Sequence, residues 1–152
     1  MPGHALAQTA QPKKPIVMGW VERAILLPSR VPFLAKLDTG AKTTSINAQD
    51  VRAFKKNGRS WVRFTVRNKE GASASFERPV IRTSRIRRTG VGAVTRYVVS
   101  LHLCIGPFKT VAQVNLANRK NMRYQLLIGR RLMKGRILVD SQRQFIVSPA
   151  CD

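Results

Sequence analysis

Acidic residues are what this chain most lacks. Its 152 residues hold 28 Lys and Arg against 7 Asp and Glu, a formal charge of +21. No carboxylate side chain occurs from Arg78 through Val139, while Lys and Arg recur throughout that stretch. So lopsided a charge costs self-repulsion and draws polyanions: RNA, a ribosome surface, an anionic membrane or an acidic protein tail. The plainer alternative is a solvated basic surface that aids solubility. Cysteine is scarce as well. Cys104 and Cys151 are too few for a disulfide framework, and they fit a reducing compartment. No run approaches the roughly 18 apolar residues of a membrane span. Residues 1–15, rich in Ala, Gln and Pro with Lys13-Lys14, lack the apolar core of a signal peptide. The expectation is a cytoplasmic protein with no membrane partner.

Two further absences bear on cofactors. The only histidines are His4 and His102, and no His-Glu-x-x-His occurs. His102 and Cys104 share one face of a strand, but two groups without further ligands make a poor zinc site. No Gly-rich loop ending in Gly-Lys-Ser/Thr is present to cradle a nucleotide phosphate. The sequence therefore predicts no metal and no cofactor.

What is present reads as strand. The length suits one domain with a sizeable core. Residues 1–14 read as a flexible tail, and 15–152 as the folded domain. Ile16 to Leu27 is apolar and stops at Pro28, and Val31–Leu37 is a second apolar stretch. Ser60–Arg67 alternates, with Val62, Phe64 and Val66 on one face. Asn57-Gly58 and Lys69-Glu70-Gly71 on either side are turn signals. Tyr97–Ile105 alternates most cleanly, and Gly106-Pro107 turns it back into Phe108–Leu116 as a hairpin partner. Tyr124–Ile128, Ile137–Val139 and Phe145–Val147 complete the strands. Arg130–Lys134 is the one helix candidate, stopped by Gly135. Turn signals recur roughly every 8–12 residues, which with this strand content predicts an all-β fold, a small closed β-barrel with one short helix.

The stretch richest in chemistry is Asp38-Thr39-Gly40-Ala41, directly behind the strand Val31–Leu37. A carboxylate on a tight Gly turn at a strand end is how aspartic proteases present their catalytic acid. That mechanism needs two carboxylates near enough to share one proton, because like charges at contact cannot both ionise. The chain supplies one such tetrapeptide, so a homodimer with its site on the two-fold axis is expected. Gly40 would let the turn expose the acid, and the Thr39 hydroxyl would brace the paired loop. Asp-Thr-Gly alone is also ordinary turn chemistry. Asp140 is the other acid at a strand end, in an Asp-Ser-Gln turn that suits a structural role. Asp50 is expected to cap a short turn. Trp20 and Trp61 read as core or interface anchors, and Met122 and Met133 as apolar filler.

A second segment strengthens the first. Leu126-Leu127-Ile128-Gly129-Arg130 resembles the apolar-apolar-Gly-Arg segment of retropepsins, which threads beside the catalytic loop and leads into their helix. In this chain 91 residues separate Asp38 from Gly129. That is longer than in viral retropepsins and implies an inserted hairpin, placed at residues 55–71. The match is closer to a bacterial retropepsin-like aspartic peptidase family, the RimB-type proteins, often labelled putative ATP-dependent zinc proteases. It covers about residues 16–147. It is carried by Gly19-Trp20-Val21-Glu22, Leu37-Asp38-Thr39-Gly40-Ala41-Lys42-Thr43, Trp61-Val62-Arg63-Phe64, Asn118-Arg119-Lys120-Asn121-Met122-Arg123, Leu127-Ile128-Gly129-Arg130 and Leu138-Val139-Asp140. The absent motifs above speak against both the zinc and the ATP in that label.

The resemblance implies a retropepsin-like fold with Asp38, Thr39 and Gly40 as the catalytic turn and Ile128, Gly129 and Arg130 as its structural neighbours. Ala41 and Lys42 would border the substrate. In viral enzymes the Arg of the Gly-Arg segment pairs with an Asp soon after the Ala. Here Lys42-Thr43 follow Ala41, so Arg130 must find another partner. Lys42 also brings a cation near the acids, which favours their ionised forms. A lid is expected over the cleft with its tip in Ser84–Ala93, where Gly90 and Gly92 supply flexibility. Arg85, Arg87 and Arg88 would make that lid basic and suited to acidic side chains; the alternative is a solvated Arg loop. Some family members are encoded beside ligases that add glutamates to a ribosomal protein. An oligoglutamate-tagged or ribosome-linked protein is therefore the expected substrate, cut by a homodimeric aspartic endopeptidase. The rival expectation is a non-catalytic basic module that holds polyglutamate, a ribosome or RNA. Terminal strands near Ile16–Val21 and Phe145–Val147 are the expected subunit interface.

Overall fold

A computed structural model describes residues 14–151 apart from 89 and 91 and the side chain of 88, and these described residues form eleven strands and one short helix. All but one residue of the expected tail, 1–14, lies outside the described residues. The strands are β1 (Ile16–Gly19), β2 (Val21–Leu27), β3 (Val31–Leu37), β4 (Thr44–Lys56), β5 (Arg59–Arg67) and β6 (Ser73–Pro79). They continue with β7 (Arg82–Arg88), β8 (Gly92–Ile105), β9 (Phe108–Ala117), β10 (Leu126–Ile128) and β11 (Ile137–Asp140), with helix α1 (Arg130–Met133) between the last two.

Six of these close a barrel in the order β10-β3-β2-β8-β9-β4, because β10 pairs with both β3 and β4. The pairing is parallel to β3 and antiparallel to β4. Closure leaves these six strands without a free edge, which satisfies their backbone groups internally. The expected all-β barrel with one short helix is the fold observed. Its interior follows the alternation of β8: Val99, Leu101, Leu103 and Ile105 are fully buried while His102 between them is exposed. Each such Leu contributes about 1.5–3 kcal/mol relative to an exposed one. Strands β5 and β6 extend the sheet outward from β4, and β7 pairs only with β8. The inserted hairpin expected at 55–71 falls within this β4–β5–β6 extension. Its inner face carries Val62, Phe64 and Val66, and Phe64 stacks on Phe76 with ring centroids 5.6 Å apart.

Three expectations require correction. The segment Phe145–Val147 is not a strand. Phe145 has a φ of 57°, and its amide donates to the Val21 carbonyl at 3.0 Å. The next two amides donate to the buried Glu22 carboxylate, at 3.0 Å from Ile146 and 3.3 Å from Val147. Gly19 donates to the same carboxylate at 2.6 Å, so one buried acid ties three segments together. The cysteines are not free: Cys104 and Cys151 form a disulfide, their Cα atoms 5.9 Å apart. The fold brings the chain end back along β8, where the Ala150 amide donates to the Gly106 carbonyl at 2.8 Å. The cysteines therefore no longer argue for a reducing compartment. Asp50 caps no turn; with a φ of 53° it sits at the bulge where the β4–β5 register shifts by one residue. Among the described residues, no helix is long and apolar enough to cross a membrane.

Candidate active site

Asp38 leaves the barrel at the end of β3, where parallel pairing with β10 fixes its backbone. Its amide donates to the Ile128 carbonyl at 2.9 Å. The chain then reverses tightly. The Ala41 amide donates to the Asp38 carbonyl at 3.1 Å, and the Gly40 amide donates to the Asp38 Oδ1 at 2.9 Å. The carboxylate is half-buried, while Thr39, Gly40 and Lys42 are exposed. One carboxylate oxygen is thus held by the backbone of the turn that follows β3.

The second segment locks this turn. The Arg130 amide donates to the Ala41 carbonyl at 2.7 Å, and the Arg131 amide to the Lys42 carbonyl at 3.1 Å. Arg130 solves the missing-partner problem through the backbone, with Nη1 donating to the Thr39 carbonyl at 3.3 Å. Gly129 is where the two segments cross most closely. Its amide donates to the Thr44 hydroxyl at 3.2 Å, and a Cβ there would stand 2.6–2.8 Å from the Thr43 backbone. Asp38 through Lys42 and Ile128 through Arg130 are therefore brought together as expected.

The expected lid residues belong to the β7–β8 hairpin. Arg85 and Arg87 lie on β7, exposed, with Thr95 and Ala93 opposite them on β8. Arg88 ends β7, Gly90 is in the turn with a φ of +84°, and Gly92 starts β8 with a φ of +73°. The hydrogen bonds and ion pairs of the described residues do not join Arg85 or Arg87 to the Asp38 loop. Another arginine, Arg119, does interact with Asp38. The half-buried Arg119 is held by its backbone amide, which donates to the Asn47 Oδ1 at 2.8 Å, and by Nε, which donates to the Tyr124 carbonyl at 3.1 Å. Its guanidinium is held below the ordinary arginine pKa, by burial first and by the Arg96 cation second, with the Asp38 carboxylate pulling the other way. Arg96 belongs to β8, the second strand of the expected lid hairpin. Arg119 had appeared only as part of a motif. Its place in the loop just before β10, the strand that supports Asp38, was the signal available.

Beside the turn, Thr39, Lys42, Arg130, Met133, Lys134 and Ile137 line a cavity of about 400 Å³. Asp140, the other candidate acid, is engaged in its own turn. Its carboxylate accepts from Arg143 Nε at 2.7 Å and from the Gln142 amide at 2.8 Å, and these bonds hold its pKa below the usual 3.8. No cluster of three or more His, Cys, Asp or Glu able to hold a metal occurs among the described residues.

The profile of a family described as RimB-like, the retropepsin-like aspartic endopeptidase RimB, matches residues 17–150. The chain belongs to this RimB-like family. It is 34% identical to the protein Lpg0085 of Legionella pneumophila, of unknown function, whose crystal structure aligns with a TM-score of 0.75 over 87% of this chain and 98% of that one. Among curated sequences it resembles a probable alpha-L-glutamate ligase of Shewanella halifaxensis, 31% identical over 121 residues. A protein of the same description from Parasynechococcus marenigrum is 32% identical over 131 residues. These matches cover 78% and 84% of this chain but only 26% and 28% of the ligases, so the chain spans about a quarter of their length. The RimB-like profile includes both the Asp38 turn and the Gly129 crossing.

Proposed function

We propose that this chain is an aspartic endopeptidase that works as a symmetric dimer, one Asp38 from each subunit forming the catalytic pair. The observation that carries the reading is the Asp38 turn: a half-buried carboxylate oriented by the Gly40 amide and clamped from behind by β10 and Arg130. In the paired site one carboxylate is ionised and takes a proton from the attacking water. The other is protonated and donates a hydrogen bond to the scissile carbonyl, polarising it. Thr39 braces the partner loop, and the β7–β8 hairpin closes over the peptide. The two-stranded sheet of β1 and β11 supports dimerisation. Its outer face exposes Val17, 43% accessible, and Leu138, 56% accessible, which are register partners. An apolar pair at the edge of a small sheet suits a subunit contact.

An acidic protein is the substrate this charge distribution favours. The net charge of +21 gathers polyanions, and the Arg119 guanidinium lies within electrostatic reach of Asp38. Glutamate side chains beside the scissile bond would be met by the Arg119 guanidinium, with Arg85 and Arg87 on the lid and Lys42 on the loop. The description of the longer relatives as probable alpha-L-glutamate ligases is in keeping with a glutamate-rich substrate. A ribosome-associated protein of that kind fits the basic surface.

The rival reading, a non-catalytic module holding acidic tails, rests on the charge alone. Cleavage of an oligoglutamate-tagged protein separates them. Asp38→Asn should fold normally and lose cleavage by at least about 10²–10⁴-fold, while salt-sensitive binding persists. Cutting by Asp38→Asn at the wild-type rate would end the peptidase assignment.

A further inference from the structure

The β4–β5–β6 extension lies outside the closed barrel, and its two faces differ. Val62, Phe64 and Val66 turn inward and are fully buried. On the opposite, outward face the register sets Arg52 against Arg63, Phe54 against Trp61 and Lys56 against Arg59. Three successive rungs therefore read cation–cation, ring–ring, cation–cation. Like charges directly across a strand pair destabilise it, and at Arg63 the Glu77 carboxylate offsets that cost. The two half-buried rings lie 6.3 Å apart at 37°. Lys56 Nζ stands 4.3 Å from the Trp61 ring centre, and the Arg63 guanidinium 5.9 Å from that of Phe54. Glu77, the carboxylate beside these rungs, is taken up by Arg63 at 2.7 Å.

We propose that this outward face binds single-stranded RNA, with bases against the Phe54–Trp61 pair and phosphates against the flanking cations. The inference goes beyond the peptidase reading and does not depend on Asp38. Rings interleaved with cations on a sheet surface match a ligand that alternates π faces with charges. An acidic peptide offers the charges without the faces, and a duplex keeps its bases stacked away from a flat surface. The next rung continues the face with Gln49, Thr65 and Ser75, and the Thr65 and Ser75 hydroxyls lie 2.9 Å apart. These groups give a ribose 2′-hydroxyl donors and acceptors, which favours RNA over DNA.

The test is fluorescence anisotropy of a labelled mixed-sequence single-stranded RNA with the full chain, beside DNA of the same sequence. RNA should bind more tightly than DNA. Trp61→Ala should weaken RNA binding about tenfold or more, while Trp61→Phe keeps most of the affinity. Replacing the exposed pair Lys56→Gln and Arg59→Gln should flatten the slope of log affinity against log salt by about 1.4. Those last two variants carry the test if Trp61→Ala fails to fold. Undiminished binding by a folded Trp61→Ala, or an unchanged salt slope, would mean that general charge does the binding and would overturn the platform. Tighter binding of DNA would overturn the assignment to RNA.

Discussion

Gly129 shows how much of the site depends on a single missing Cβ. Its backbone crosses that of Thr43 so closely that an added methyl would meet three backbone atoms at 2.6–2.8 Å. None of them belongs to a flexible side chain, so the two loops must part to make room. Gly129→Ala is expected to cost about 1–3 kcal/mol as overpacking, read as a lower urea midpoint, and to displace the turn that aims Asp38. An unchanged midpoint would mean that the crossing is looser than described. The Asp38 turn was legible in the sequence because its chemistry is local, an acid on a Gly turn, whereas Gly129 was reached through the resemblance of Leu126–Arg130 to the retropepsin segment. Arg119 was not assigned, because what matters about it is a distance across the fold. Nothing in Asn118-Arg119-Lys120 says that burial, Arg96 and Asp38 act on that one guanidinium.

Among the elements, the interior strands were readable wherever apolar residues alternate, as in β5 and β8. The Asn57-Gly58 hairpin followed from its turn residues, both with positive φ. Phe145–Val147 misled because its apolar run looks like a strand, whereas its amides are spent on Glu22 and Val21 rather than on a neighbouring strand. The Cys104–Cys151 bond was missed for a related reason. Counting cysteines tests for a framework of several bridges, and says nothing about one pair that the fold sets side by side. That bond closes 47 residues of sequence and ties the chain end to β8. Replacing both cysteines with alanine should lower stability by about 2–4 kcal/mol, through the greater freedom of the unfolded chain. Urea denaturation of the oxidised wild type against the double variant measures it, and coincident curves would show that the tether contributes nothing.

For the whole molecule, two properties have to work together. A charge of +21 repels a second copy of the chain, yet one Asp38 per chain makes an aspartic dyad only when two copies meet. In the proposed dimer the exposed Val17 and Leu138 of β1 and β11 would offer the attraction, and salt or an acidic substrate would screen the repulsion. The central claim is that the site is shared, and mixing subunits tests it most directly. Wild type would be equilibrated with an equal amount of Asp38→Asn, and cleavage of an oligoglutamate-tagged protein measured per wild-type subunit. Random pairing of a shared site predicts a fall to about half, since mixed dimers lack one acid. Unchanged activity per wild-type subunit would show that each chain cuts alone and contradict the account.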